Sequence, residues 1–86
     1  MSYQIVIQSA AQRQLKKLTP EVQKALIAVI ENLAIDPRPA GCKKLKGRAD
    51  EYRLRWGNYR IIYQVEDRAL IIRVIKVGHR RDIYEG

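Results

Sequence analysis

Apolar and polar residues alternate in two different periods along the chain, which divides it into a helical first half and a strand-rich second half. Branched residues in YQIVIQ predict a first strand over residues 3 to 7. Apolar residues at helical spacing then predict a short helix over about residues 10 to 17, with Ser9 as its N-cap. A longer apolar stripe predicts a second helix, with Thr19 as cap and Pro20 at the first helical position.

Three strand-like segments follow the Pro/Gly loop DPRPAG: EYRLRW, YRIIYQV and ALIIRVIKV. The dipeptide GN between the first two is a signal for a two-residue hairpin turn. We expect a second tight turn at Asp67–Arg68. Together the turns predict these opposed pairs: Arg55 with Arg60, Leu54 with Ile61, Ile62 with Arg73, and Arg60 with Ile75.

These registers separate two faces of a sheet. One face is apolar and must be covered by both helices; it carries Tyr52, Leu54, Trp56, Tyr59, Ile61, Tyr63, Val65, Leu70, Ile72 and Val74. The other carries Arg53, Arg55, Arg60, Arg73, Ile62, Gln64, Ile71 and Ile75. The sequence therefore predicts an α+β fold over residues 1–86 as a single domain: an N-terminal strand, a two-helix hairpin, and a three-stranded antiparallel meander in one twisted sheet with helices on one face.

Charge gives the first indication of function. Seventeen Lys and Arg against nine Asp and Glu give a net charge of +8, which is typical of a nucleic-acid-binding domain but also serves solubility or an acidic protein partner. Opposed arginines destabilise a sheet by about 0.2–1 kcal/mol, so Arg55 and Arg60 indicate a bound anion. Phosphate fits the guanidinium fork, and a neighbouring carboxylate is the alternative. The loop lysines Lys43, Lys44 and Lys46 precede this strand and are candidate backbone contacts.

Most catalytic residue sets are missing from the sequence. A single histidine excludes a multi-histidine metal site, and no Gly-rich phosphate loop occurs, so we expect no cofactor. Arginine, lysine and tyrosine suit RNA cleavage by its own 2′-hydroxyl, which requires proton removal, stabilisation of the phosphorane and protonation of the leaving oxygen. Tyr84 follows Arg80 and Arg81, and these cations should lower the pKa of its phenol. The alternative is that Tyr84 packs on the sheet.

Localisation follows from what the chain does not contain. No apolar run reaches the roughly 20 residues of a membrane span, and the N-terminus does not have the pattern of a signal peptide. The single cysteine, Cys42, fits a reducing compartment. We therefore expect a cytoplasmic protein with no membrane partner.

The segments KLKG, YRLRWGNYRIIYQV and IIRVIKVGHRRDIY, in this order behind a strand and two helices, resemble the RelE branch of the RelE/ParE toxin superfamily along essentially the whole chain. The resemblance implies a RelE-like fold and a metal-independent endoribonuclease, an mRNA interferase that cuts messenger RNA in the ribosomal A site. It also implies a cognate RelB-like antitoxin that holds the toxin inactive.

Residue roles are carried over from the same resemblance. It implies that Arg53 and Arg55 contact RNA and assist the base, Arg60 stabilises the phosphate, Arg80 is a second arginine of the site, and Tyr84 stacks on a base and takes part in proton transfer. Arg73, Arg81 and His79 are further candidate RNA contacts, and Arg81 is an alternative to Arg80. Arginine stands at 53 and 55 where lysine is the better-known choice, which makes proton donation harder.

Two other functions remain open at this point. A ParE-like inhibitor of DNA gyrase can use the same scaffold, because a fold does not determine function. A non-catalytic RNA-binding regulatory module would keep the salt-sensitive binding but would not cleave RNA.

Overall fold

The structure, a computed structural model, describes residues 2–83, in which two helices pack on one face of a five-stranded sheet. The elements are β1 (Gln4–Ile7), α1 (Ser9–Lys16), α2 (Pro20–Asn32), β2 (Lys43–Lys44), β3 (Glu51–Trp56), β4 (Tyr59–Glu66), β5 (Ile71–His79) and a 3-10 turn (Arg80–Asp82). The strand order is β1-β5-β4-β3-β2, with β1 parallel to β5 and the other pairs antiparallel. The predicted α+β fold is confirmed. Strand β2 was not predicted, because two lysines carry no apolar alternation.

The two helices begin differently. Thr19 caps α2 as predicted: its side-chain oxygen accepts from the backbone N–H of Val22 at 3.4 Å, and Pro20 is the first helical residue. Ser9 is not the cap of α1, so that prediction was wrong. The backbone N–H of Gln12 donates to the carbonyl of Gln8, and Gln8 also donates to Val74 in β5. The strand pairing therefore continues to Gln8, and the helix begins directly after it.

The main core lies between the helices and the sheet. Its buried members come from both helices, from Leu33 directly after α2, and from β3, β4 and β5: Ala11, Leu15, Leu26, Ile30, Leu33, Leu54, Ile61, Tyr63, Val65, Ile72, Val74 and Val77. This confirms that the helices cover most of the predicted apolar face; Trp56, which was assigned to it, is 39% exposed. Burial raises the pKa of the Tyr63 phenol, whose hydroxyl donates to the carbonyl of Pro37 at 2.8 Å. Among residues 2–83, no helix is long and apolar enough to cross a membrane.

The first predicted hairpin register is confirmed and the second was wrong. Arg55 lies opposite Arg60 and Leu54 opposite Ile61, whereas Ile62 faces Lys76 and Arg60 faces Gly78. Two features shift the β4–β5 pairing. The turn spans four residues, Asp67 to Leu70, and Leu70 adopts a positive φ of 55°. A bulge between Ile62 and Tyr63 then leaves Ile75 as an extra residue in β5.

A second, smaller core lies on the opposite face of the sheet. Leu45, Ile62 and Ile83 are buried together there, and Ile75 packs against them. Ile62, which the sequence pattern placed on the face opposite the helices, is wholly buried. The loop after β2 and the segment after β5 therefore cover part of this face.

The loop after α2 is held against the β4–β5 turn by Arg38. Its guanidinium donates to both carboxylate oxygens of Asp67, at 2.8 and 3.2 Å, and its Nε donates to the hydroxyl of Tyr52 at 2.8 Å. The hydroxyl of Tyr3 also donates to Asp67, at 2.7 Å. The Arg38 guanidinium, with help from Tyr3, lowers the pKa of the Asp67 carboxyl. This network joins four segments that are distant in sequence.

Candidate nucleic-acid interface

Three arginines project from β3 and β4 on the side of the sheet opposite the helices; we call this side the arginine face. Arg55 and Arg60 are directly opposed in the antiparallel register. Opposed residues have Cβ atoms about 4.5–5.5 Å apart, so two permanent cations share one place on the sheet. Arg55 is exposed and Arg60 is half-buried, with its Nη1 donating to the carbonyl of Tyr59 at 3.2 Å.

Arg53, the third arginine, lies opposite the buried Ile62. It belongs to the arginine face as predicted, but only 7% of its surface is exposed. A guanidinium in this position carries its charge into surroundings of lower polarity, where electrostatic interactions are stronger than in water. Arg53 therefore offers little of its own surface for contact.

The lysines before β3 do not act as one group. Lys43 is opposed to Arg53 and so shares the arginine face. Lys44 is opposed to Tyr52, whose ring packs against the main core, so Lys44 points to the other side of the sheet. Lys46 lies in the exposed turn that follows. Of the three predicted contacts, the register brings Lys43 alone onto the arginine face.

Strand β5 also contributes cations to this face. Lys76 lies opposite Ile62 and is half-buried; sequence reasoning missed it because the predicted register did not include the bulge. Arg73 lies opposite Gln64 and forms an ion pair with Glu66. The alternative of a neighbouring carboxylate therefore holds for Arg73, whose charge is neutralised within the protein.

The segment after β5 is tied to the β3–β4 turn. The backbone N–H of Arg80 donates to the carbonyl of Asn58 at 2.7 Å, which holds the 3-10 turn at the end of the sheet that carries Arg55 and Arg60. Ile83 packs over Gly78, where an added Cβ would lie 3.3 Å from the Ile83 Cδ1. Arg80 and Arg81 are exposed. Tyr84 lies outside the described residues.

His79 is oriented away from the arginines. It is opposed to Tyr59 on the helix-covered side, and the two rings meet edge to face with centroids 5.6 Å apart. Its Nδ1 accepts from the backbone N–H and the Nε of Arg81, both at 3.3 Å. The predicted RNA contact His79 is therefore not grouped with the arginine face, and Arg81 is engaged with the imidazole.

An apolar groove of about 410 Å³ borders the arginine face between the end of α2 and β3. Leu33, Ile35 and Leu54 line it and Arg55 stands at its rim; Ile35 is 78% exposed. In the part of the chain that the structure describes, no group of three His, Cys, Asp or Glu side chains is placed to hold a metal ion.

Known proteins are similar to this chain in both sequence and fold. The sequence model of the ParE toxin of the type II toxin–antitoxin system parDE matches residues 5–84. Toxin RelG of Mycobacterium tuberculosis is 32% identical over 88 residues, which covers 98% of each chain. The mRNA interferase toxin RelE of Escherichia coli K12 is 33% identical over 86 residues, covering 93% of this chain and 85% of its own. The toxin chain in the archaeal RelE–RelB complex of Pyrococcus horikoshii superposes with a TM-score of 0.83 at 27% identity, covering 96% of this chain and all of its own.

Proposed function

This chain belongs to the RelE/ParE family of toxins from type II toxin–antitoxin systems, and from that premise we propose that it is a ribosome-dependent endoribonuclease that cuts messenger RNA in the A site without a metal ion. The observation that carries the proposal is the direct opposition of Arg55 and Arg60 on the arginine face. Two guanidinium groups at one place can both donate to the oxygens of one phosphodiester.

The reaction needs few protein groups because the RNA supplies its own nucleophile. The 2′ oxygen attacks the adjacent phosphorus, the bond from phosphorus to the 5′ oxygen breaks, and the products carry a 2′,3′-cyclic phosphate and a free 5′-hydroxyl. Arg60, held on a central strand, stabilises the charge that develops on the phosphorane. Arg55 and Lys43 hold the phosphate chain, and the buried Arg53 lies beneath them on the same face.

Arg80 is the second arginine of the proposed site. The Arg81 side chain donates to His79, whereas the Arg80 side chain forms no hydrogen bond or ion pair among residues 2–83, which supports Arg80 over Arg81 for this role. Tyr84 takes the proton from the 2′-hydroxyl. Because arginine at 53 and 55 is a poor proton donor, the leaving 5′ oxygen takes its proton from water.

The proposed partners are the ribosome with its messenger RNA and a RelB-like antitoxin, all in the cytoplasm. The similar structure from Pyrococcus horikoshii is a RelE–RelB complex. An antitoxin segment with apolar and acidic side chains can fill the groove beside Arg55 and at the same time neutralise the arginine face. A single bound segment would then block access of the phosphate.

Mapping of 5′ ends of messenger RNA on purified ribosomes tests the proposal. Cuts within A-site codons that depend on both toxin and ribosome are the expected result. Inhibition of DNA gyrase is the second candidate, because the matching family model is named for ParE. Intact messenger RNA together with accumulating gyrase–DNA breaks would favour that candidate. RNA binding with neither cleavage nor DNA breaks would favour a non-catalytic module.

A further inference from the structure

A second cavity, of about 320 Å³, lies at the end of the sheet that carries Arg55 and Arg60, and its lining includes Gly78 and Ile83 as well as residues of the helix-covered side. It opens between the end of α1 and the end of β5, and Tyr59 and His79 form part of its wall. Arg60, the sequence neighbour of Tyr59, points to the arginine face, since side chains alternate along a strand. The volume is at the lower end of the range of about 300–1,000 Å³ for ligand pockets.

Two side chains of opposite charge line this cavity. Lys17 and Asp82 both border it and both are exposed. Within residues 2–83, neither side chain forms an ion pair with the other or with a third residue. The cavity therefore offers one strong donor and one strong acceptor to a ligand that carries both an anionic group and N–H donors.

The ring of His79 adds a second donor. Because its Nδ1 accepts from the backbone N–H of Arg81, the ring hydrogen of the neutral imidazole is on Nε2. Tyr59 is half-buried next to this ring, and Leu18 and Val77 supply apolar wall. Aromatic and apolar walls with a nearby cation are the combination that binds an unstacked base and its phosphate.

We propose that this cavity binds one unpaired nucleotide of RNA, which deepens the proposed function and rests on RNA being the substrate. Its phosphate lies between Lys17 Nζ and His79 Nε2, its base lies against Tyr59, and base N–H groups donate to the carboxylate of Asp82. Guanine presents two adjacent N–H donors to a carboxylate, whereas uracil presents one. The site therefore prefers guanine. The nucleotide that it holds does not carry the phosphodiester bond that is cleaved.

Titration of ¹⁵N-labelled protein with GMP, UMP, guanosine and inorganic phosphate, followed by NMR, tests this site. We expect saturable shifts of the amides of Val77, Gly78 and His79 with GMP, and binding that is at least 5-fold weaker with UMP, guanosine or phosphate. Lys17→Ala should weaken GMP binding at least 5-fold, whereas Lys24→Ala, which changes an exposed lysine of α2 that does not line the cavity, should not.

Shifts confined to residues of the arginine face, or equal GMP binding by wild type and Lys17→Ala, would overturn the assignment. Asp82→Asn should abolish the preference for GMP over UMP. If the preference persists in this variant, Asp82 is not part of the site. The titration uses neither ribosomes nor cleavage. A missing nuclease activity would therefore leave this result standing, and a missing GMP site would leave the proposed nuclease standing.

Messenger and ribosomal RNA both offer unpaired nucleotides. A photo-crosslinking p-benzoylphenylalanine in place of the exposed Arg13, one helical turn before Lys17, identifies the source on ribosomes. A crosslink to messenger RNA or to ribosomal RNA supports the site and identifies which RNA supplies the nucleotide. The absence of any RNA crosslink at saturating ribosomes contradicts it.

Discussion

Lys43 and Lys44 are adjacent in sequence, but the strand directs them to opposite sides of the sheet, because one is opposed to Arg53 and the other to Tyr52. Both are exposed, so substitution of either removes the same charge from the same short strand. They form a matched pair for testing which side of the sheet meets RNA.

We expect Lys43→Ala to raise the ribosome concentration needed for half-maximal cleavage and to lower the salt slope of binding by about 1, because one phosphate contact is lost. Lys44→Ala should change neither quantity. Both are measured by titrating ribosomes at several salt concentrations. Equal effects of the two substitutions would show that the arginine face does not orient the RNA.

Asp67 is the residue whose ionisation matters most clearly for stability. Its carboxyl has a lowered pKa because Arg38 and Tyr3 donate to it. Such a group stabilises the fold above its unfolded pKa of about 3.9, and this contribution is lost as the pH falls through the lowered folded pKa. The free energy of unfolding of the wild type should therefore fall on acidification through this range.

Asp67→Asn should remove this part of the pH dependence, while Asp36→Asn, at an exposed site in the same region, should retain it. Urea unfolding between pH 7 and pH 3 measures the effect. Identical pH profiles for wild type and Asp67→Asn would mean that the Arg38 network contributes nothing through this carboxylate.

At the scale of elements, the fit between β5 and the segment after it depends on Gly78. An alanine there would place its Cβ 3.3 Å from Ile83 Cδ1, which is closer than ordinary van der Waals contact. We expect Gly78→Ala to lower the free energy of unfolding by about 1 kcal/mol through this overpacking. Because Arg80 lies between the two residues, we also expect slower cleavage.

Ile83→Val removes the Cδ1 atom that causes the contact. Alone it should cost about 1 kcal/mol, as typical for a buried Ile→Val change. Combined with Gly78→Ala it should cost less than the sum of the single changes, with a coupling of at least 0.5 kcal/mol. Urea unfolding of the wild type, the two single variants and the double variant measures this coupling. Strictly additive effects would mean that Ile83 does not pack against Gly78.

Local sequence signals predicted the elements well but not all of their pairing. The GN turn determines the β3–β4 register directly, because a two-residue loop leaves one alignment of the flanking strands. The β4–β5 turn contains no glycine to mark its positive φ, which falls on Leu70. The bulge at Ile75 depends on packing against Ile62 and Ile83, which no local pattern records.

The candidate site was predictable to the same extent. Arg53, Arg55 and Arg60 were assigned to one face because they flank the predictable turn. Lys76 and the ion pair of Arg73 with Glu66 depend on the bulged register, so alternation alone missed them. The burial of Arg53 depends on the second core, which the residue pattern of one strand cannot predict.

At the scale of the whole molecule, one sheet separates two tasks. Its helix-covered side holds the main core, and its other side carries opposed cations over a small second core. Under the proposed function, the net charge of +8 attracts RNA from a distance, and the strands hold Arg60 in a fixed place for the reaction. Binding is thus spread over many cations, whereas the proposed chemistry depends on few.

The rate of messenger RNA cleavage in a single turnover on saturated ribosomes tests this division most directly. Arg60→Ala should slow cleavage by about 10²–10³-fold, because a positioned cation that stabilises the phosphorane is lost. Arg68→Ala, which removes an equal charge from the exposed β4–β5 turn, should cleave at the wild-type rate. If Arg60→Ala also cleaves at the wild-type rate once ribosomes are saturated, Arg60 only binds RNA and the proposed catalytic role of the arginine face is contradicted.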